Sequence, residues 1–414
     1  MDLYKHVIES KELRVSVSHA SVGSSGVGVL GLAGVLPDAW AVRELASMLG
    51  TVTDPRKQRG MRHQLATILA VAVFAVLAGA KTYRQVGDRV ADLPQPLLAL
   101  AGARSCPALG VVQAPSGSTI RRVLIAVDAD AADRVVGSWL ASLLVNDGKA
   151  LLGLAIDGKT VRAAGTADGD VRLFSAMAHG AAIVVGQVRV PAGTTEVTQV
   201  RALLDGLDLD GRVVTADAAH AQHETADYLV AERGGDYVLQ VKANQPGLLR
   251  QIADALPPAV VAGADWSADE QRDGDTVRRS MWVADADEVD FPEAARVFRL
   301  LRERFDPFGV RVAKEVVHGV TSLSADRATP QQVAGFIRGQ WGIENLVHWP
   351  RDVVFGEDQQ GAYIGNGPHA MAILRNLVLG LFRLARVSQV KRLTESIAAD
   401  RMRILPVLAA ALKR

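Results

Sequence analysis

The sequence predicts an α/β fold in which a mixed sheet is flanked by helices, preceded by a helical domain and interrupted by a β-rich insertion. Three observations carry this reading. Between Leu151 and Lys242 apolar runs and helical periods succeed one another in the order β-β-β-α-β-α-β. Upstream, from Pro37 to about Asp147, apolar residues recur at three- and four-residue spacing, as one face of a helix requires. Downstream, from Gln245 to Pro330, strand-like pieces alternate with acidic loops.

Residues 1–36 end in a Ser/Gly/Val-rich stretch without a period, which reads as a flexible arm. Residues 37–147 read as a helical, DNA-binding domain, with helices expected near Trp40–Gly50, His63–Ala80, Arg84–Leu93, Thr119–Val127 and Ala131–Leu144. The apolar run Leu65–Ala80 is Ala-rich and 16 residues long, too short to span a bilayer, and predicts a buried core helix. Two features here suit DNA. Asp54 to His63 is a basic approach to a helix. Pro115-Ser116-Gly117-Ser118-Thr119-Ile120-Arg121-Arg122 offers a Ser cap, free backbone amides and two arginines in the first turns; an ordinary capped surface helix would account for the same residues.

Residues 148–245 form the first part of the core. The strand Leu151–Ile156 delivers Asp157, after which Gly158-Lys159 is expected to turn the chain; an Asp-Gly hairpin turn would account for the same residues. Val171–Met177 and Ala181–Val190 complete a meander, and a crossover helix over Glu196–Leu207 follows. The buried strand Gly211–Ala218 carries Asp217, the next helix runs from about His220 to Arg233, and Asp236–Lys242 is the last strand. Two acids arriving at strand ends, where open α/β sheets place their chemistry, exceed what turn propensity explains. Within the insertion, 246–330, strands are expected at Arg278–Val283, Ala295–Leu301 and Val310–Val320. Residues 331–414 supply a helix over about Gln331–His348, an apolar helix over Ala370–Ala385 and a basic tail.

The chain of 414 residues has 49% hydrophobic and 22% charged residues, a globular balance. A net charge of +1 exerts no global pull on nucleic acid or membrane. Charge is instead local. Asp265–Asp290 holds nine acids against three bases, and Arg375–Arg414 nine bases against two acids. The single cysteine, Cys106, rules out an intramolecular disulfide and any cysteine-rich zinc module, and suits a reducing, cytoplasmic setting.

Glu344 lies on a helix with Gln340 and His348 one turn either side. It is either a structural ion-pair partner of Arg338 or Arg351, or a third acid beside Asp157 and Asp217. Three carboxylates from separate elements, with no His/Cys cluster, suit hard cations that take oxygen ligands. His220 and His223 lack a further partner for zinc. Asp352, Glu357 and Asp358 rank below Glu344 because Pro350 separates them from the regular helix. Trp266 and Trp282 suit a core role better than base stacking.

Six motifs in order then carry a resemblance: Asp54-Pro55-Arg56, Pro115-Ser116, Ala155-Ile156-Asp157-Gly158-Lys159, Val214-Thr215-Ala216-Asp217-Ala218, Val241-Lys242-Ala243-Asn244-Gln245, and Trp341-Gly342-Ile343-Glu344-Asn345-Leu346-Val347-His348-Trp349. From about Pro37 to Leu405 the chain resembles the DDE insertion-sequence transposases that include the H-repeat-associated proteins. The resemblance implies an RNase H-like core with Asp157, Asp217 and Glu344 as catalytic triad and metal ligands for two ions, Mg²⁺ or Mn²⁺. It also implies double-stranded DNA as partner, cleavage at the element's ends, strand transfer of the 3′ hydroxyl, and a homodimer that pairs two ends without a membrane. A nuclease of the same fold, or a decayed copy that only binds DNA, are the alternatives. Lys242 and Arg351 are the expected phosphate contacts beside Arg121 and Arg122. The chain departs from its relatives at Gln340, where they tend to have His, and at Pro350, which should stop or kink the helix just past Glu344.

Overall fold

A computed structural model describes residues 36–413 except 60, 145–150, 167–168, 257–262 and 363. The stretch read as an arm therefore lies, but for Leu36, outside the described residues. The chain opens with helices α1 (Ala39–Leu49), α2 (Leu65–Leu77), α3 (Tyr83–Ala91) and α4 (Gln95–Leu100). A short hairpin follows, β1 (Ser105–Cys106) and β2 (Val111–Val112), and then α5 (Gly117–Ala126) and α6 (Ala129–Ser142). In α2 every residue but Ala66 is buried, so this apolar run is the axis of the helical core.

The sheet has nine strands: β3 (Leu152–Thr166), β4 (Gly169–Ala178), β5 (Ile183–Val190), β6 (Arg212–Ala216), β7 (Asp236–Val241), β8 (Trp266–Arg272), β9 (Asp275–Asp285), β10 (Arg296–Phe305) and β11 (Arg311–Thr321). Their order is β5-β4-β3-β6-β7-β11-β10-β9-β8. The meander β3–β4–β5 is antiparallel, whereas β3, β6 and β7 run parallel. That five-strand arrangement is RNase H-like. The insertion extends the same sheet, because β11 pairs with β7 and continues it outward through β10, β9 and β8.

One expectation is overturned. Gly158-Lys159 does not turn the chain: β3 runs on past Asp157, with Asp157 opposite Ser175 and Gly158 opposite Phe174. Pairing along a long antiparallel partner outweighs local turn chemistry, which favours a turn only where the ladder ends. The crossover and the later helix are also more broken than a single period suggests. Glu196–Gln199 is a 3₁₀ turn before α7 (Val200–Leu204), and α8 (His223–Asp227) passes into a π-helical turn, Tyr228–Glu232.

Side chains alternate across β3. Leu154 and Ile156 face the large core shared with the N-terminal helices, while Ala155 faces the opposite layer. That layer is α10 (Pro330–Ile343), which follows α9 (Pro246–Ala255) in the chain. Its Val333, Ala334, Phe336 and Ile337 pack on Val213, Val238, Met281 and Phe298, and its Ile343 packs on Ala155 and Met177. Thr329 and Gln332 close its start as a reciprocal cap, with Pro330 in the first turn. A π-helical turn, Glu344–His348, joins it to α11 (Trp349–Val353). The chain ends in α12 (Gly367–Leu384), α13 (Val390–Ala399) and α14 (Ile404–Leu412); the last of these buries Leu405 and Leu408 in the large core, so the basic stretch expected as a tail is folded. Among the described residues no helix is long and apolar enough to cross a membrane.

Candidate active site

Register brings the two aspartates together. The last parallel pair of β3 and β6 is Ala155 opposite Thr215, so Asp157 and Asp217 each stand two residues beyond it. Neighbouring strands are about 4.8 Å apart. Both aspartates therefore stand at the tip of the parallel pair, and Asp217 is near enough for its charge to act on Asp157, but it is not among the residues whose ligand atoms converge within 4.8 Å. Asp217 leaves strand geometry there: its carboxylate accepts the amide of Ala219 at 3.0 Å and caps a short 3₁₀ turn.

Glu344 reaches the same place from α10. Ligand atoms of Asp157, Glu344 and His348 all lie within 4.8 Å of one another. His348 Nδ1 is 3.0 Å from a Glu344 carboxylate oxygen and 3.6 Å from Asp157 Oδ2. Burial holds this imidazole below its ordinary pKa and so neutral. The contact is thus a hydrogen bond in which Nδ1–H donates to Glu344, whose ionised carboxylate can only accept. That bond draws the Glu344 pKa below the usual carboxylate range.

Asp157 shows the opposite behaviour. Burial, and then the charges of Asp217, Glu196 and Glu344, push its carboxyl up to about 7, against the Gly158 amide that favours the charged form. Glu196 is a residue that the sequence did not single out. Its carboxylate occupies the room beside Gly158, where any Cβ would collide with it, and its own pKa is raised by burial and by Asp217. Thirty-eight positions separate Glu196 from Gly158; no spacing rule links them, and only the glycine hints that something approaches the strand.

The rivals of Glu344 are all engaged elsewhere. Asp352 and Asp358 lie 2.7 and 3.8 Å from Lys159 Nζ. Glu357 is fully buried between Arg351 and Arg375. Arg338 pairs with Glu270, so neither arginine offered as a structural partner for Glu344 takes that role.

Arg351 also fails as a phosphate contact. Its side chain is 0% exposed, with Nε donating to Glu357 at 2.8 Å and Nη1 to Gln187 at 3.1 Å. A guanidinium locked in a dry ion pair has no face for DNA. The other three basic residues are exposed. Lys242 follows the end of β7, and Arg121 and Arg122 lie on α5, whose first turn Ser116 caps by accepting the Thr119 amide at 3.3 Å. His220 stacks on Phe174 at 5.1 Å, as a core residue. Trp282 is likewise buried, beneath Arg299.

Pro350 does not stop the helix. Lacking an amide, it cannot bond the carbonyl of Leu346, and Arg383 donates to that carbonyl at 3.2 Å instead. The ladder widens into the π turn that begins at Glu344.

An RNase H-like sheet thus carries acids at the tips of its central parallel strands, with a further acid in the turn that follows the covering helix. The model of the transposase DDE domain family matches residues 149–381, and that of the DDE_Tnp_1-associated family residues 46–140. The chain belongs to the transposase DDE domain family. It is similar to "Putative transposase YncI" of Escherichia coli O157:H7, with 27% identity over 89% of this chain and 95% of that protein. It is also similar to "H repeat-associated putative transposase YhhI" of Escherichia coli K12, with 25% identity over 89% of this chain and 98% of the relative. Among solved structures, a piggyBac transposase synaptic complex with hairpin DNA aligns over 91% of this chain and 85% of that one, at 11% identity and a TM-score of 0.39.

Proposed function

We infer that this DDE transposase cuts double-stranded DNA at the ends of its element and joins the freed 3′ hydroxyl to target DNA. Asp157, Asp217 and Glu344 would hold the two divalent cations, Mg²⁺ or Mn²⁺. The observation that carries this reading is the convergence of Asp157 and Glu344 with His348, ligand atoms within 4.8 Å of one another, where burial first and then the charges of Asp217, Glu196 and Glu344 push the Asp157 carboxyl up to about 7. A divalent cation relieves such repulsion, and a mainly carboxylate donor set suits a hard one. When bound, the cations supply charge stabilisation and an activated oxygen for in-line displacement at phosphorus.

The chain's own residues do the rest. Asp157 is held by the β4 ladder, which continues past it opposite Ser175 and fixes its position. His348 keeps Glu344 ionised and turned toward Asp157. Lys242, Arg121 and Arg122 offer exposed cations to DNA phosphates, and the helical part, 37–147, takes the DNA-binding role. The core then comprises 148–245 with 331–414, and 246–330 is its insertion. Two ends held together call for a homodimer.

The test is Asp157→Asn, Asp217→Asn and Glu344→Gln, each assayed on labelled duplexes carrying the element's ends. Binding is expected to persist while cleavage and joining to a plasmid are lost. Unchanged cleavage in any one variant removes that residue from the triad, and cuts without joining by the unaltered protein reduce the reading to a nuclease.

A further inference from the structure

Beyond the parallel pair Ala155–Thr215 the strands part: β6 leaves into the turn at Asp217, while β3 continues along β4. The carbonyl of Ile156 faces this fork. Gln340 fills it, 7% exposed, with its Nε2 donating to that carbonyl at 3.0 Å. Its Oε1 accepts the hydroxyl of Thr215 at 2.6 Å, and Thr215 Oγ1 in turn lies 3.1 Å from His179 Nε2. Burial lowers the His179 pKa to about 4, so the ring is neutral and its Nε2–H donates to Thr215. His179 fits only because Gly153 and Gly339 carry no side chain; a Cβ on either would collide with the ring. The result is one chain of bonds, each donor spent on one acceptor, running from His179 through Thr215 and Gln340 to β3.

Its position matters more than its bonds. Ile156 immediately precedes Asp157, Thr215 stands two before Asp217, and Gln340 stands one helical turn before Glu344. We propose that Gln340 is the positioning residue that sets the spacing of the three carboxylates, and through it the affinity of the site for its cations. This rests on the cation-binding reading given under Proposed function. Gln340 is thus a buried wedge between two strands.

The experiment is calorimetry of Mn²⁺ binding to the full-length, metal-free chain without DNA, with thermal unfolding alongside. Gln340→Met removes both bonds at constant length, Thr215→Val removes one, and Gln340→His retains a ring donor and a ring acceptor. Val333→Ala loosens the same helix away from the fork, in the core against Val213 and Val238. Outer contacts of metal sites commonly govern affinity by about 10–100-fold. Gln340→Met is expected to weaken Mn²⁺ binding about 10-fold or more, and Thr215→Val and Gln340→His by less. Val333→Ala is expected to lower the unfolding midpoint with Mn²⁺ affinity unchanged. The proposal is overturned if Gln340→Met and Thr215→Val bind Mn²⁺ as the unaltered chain does, or if Val333→Ala weakens it equally. Should Gln340→Met not fold, Thr215→Val and Gln340→His decide. Asp157→Asn separates the two levels: if it too leaves Mn²⁺ binding intact, the cation reading fails; if it alone abolishes binding, only the role of Gln340 fails.

Discussion

Replacing Asp157 by Asn should make the metal-free protein more stable at neutral and alkaline pH while abolishing its chemistry. A carboxyl raised from 3.8 to about 7 resists ionisation in the folded chain but not in the unfolded one. Below pH 3.8 both states hold the proton and the site costs nothing. As pH rises toward 7 the unfolded chain ionises freely, the folded chain does not, and stability falls; above 7 the loss is complete. At about 1.4 kcal/mol per unit the full cost is about 4 kcal/mol. Asn keeps an oxygen to accept the Gly158 amide and carries no charge, so Asp157→Asn should recover about 2 to 4 kcal/mol at pH 8 and under about 1 kcal/mol at pH 4.5. Urea denaturation in EDTA at several pH values reads this directly. Glu196→Gln removes one of the repelling charges and should move the curve the same way by less. Saturating Mn²⁺ should invert the order, since a ligand present at about 100 times its Kd adds about 2.7 kcal/mol to the form that binds it. A variant less stable than the unaltered chain at pH 8 in EDTA, or one whose advantage ignores pH, would refute the reasoning.

His348→Asn places an amide nitrogen near the former Nδ1 and should retain most cleavage, whereas His348→Leu should lose about 10-fold or more; equal activity in both, measured on labelled ends, would remove the bond to Glu344 from the account. Arg351→Met strips Glu357 and Gln187 of a buried partner and should cost about 3–5 kcal/mol in urea unfolding. DNA affinity of the folded fraction should be unchanged, and weakened binding at full stability would restore Arg351 as a phosphate contact. Arg121→Ala with Arg122→Ala should weaken end binding and flatten its dependence on salt by about two counterions, read from filter binding across a salt series; an unchanged slope would place α5 away from DNA.

The parts of this molecule that could be read from the chain are those whose signal is local. The succession of strands and helices in the core follows from short apolar runs, and α2 from a run apolar on every side. β8 escaped because Trp-Ser-Ala-Asp-Glu-Gln-Arg is half exposed and pairs on one side only, so it has no apolar face to advertise. α14 escaped because Pro406 interrupts its sequence, although a proline in the first turn takes no bond from the ladder. The extension of β3 past Asp157 depends on Gly169–Ala178, a partner that turn chemistry at Gly158 does not see. Arg351 looked like a surface cation because Glu357, Gln187 and Asn376, which bury it, come from three separate elements. His348 was visible at one turn from Glu344. Glu196 was not, since only the absence of a side chain at Gly158 makes room for it.

These failures share a cause that bears on how the site is built. An acid at a strand tip needs the ladder to end on one side, or its carboxylate would sit between two strands with no room for a ligand. It also needs the ladder to continue on the other side, or the strand would fray. β3 meets both conditions by dropping β6 after Ala155 and keeping β4 through Val161. The cost is a fork with an unpaired carbonyl at Ile156, and the helix that brings the third acid supplies the missing donor through Gln340. The same economy recurs one turn later, where Pro350 leaves the carbonyl of Leu346 free and Arg383 of α12 takes it. Each backbone defect that lets a carboxylate face its partners is closed by a side chain from another element, which ties the acids' spacing to the packing of α10 and α12.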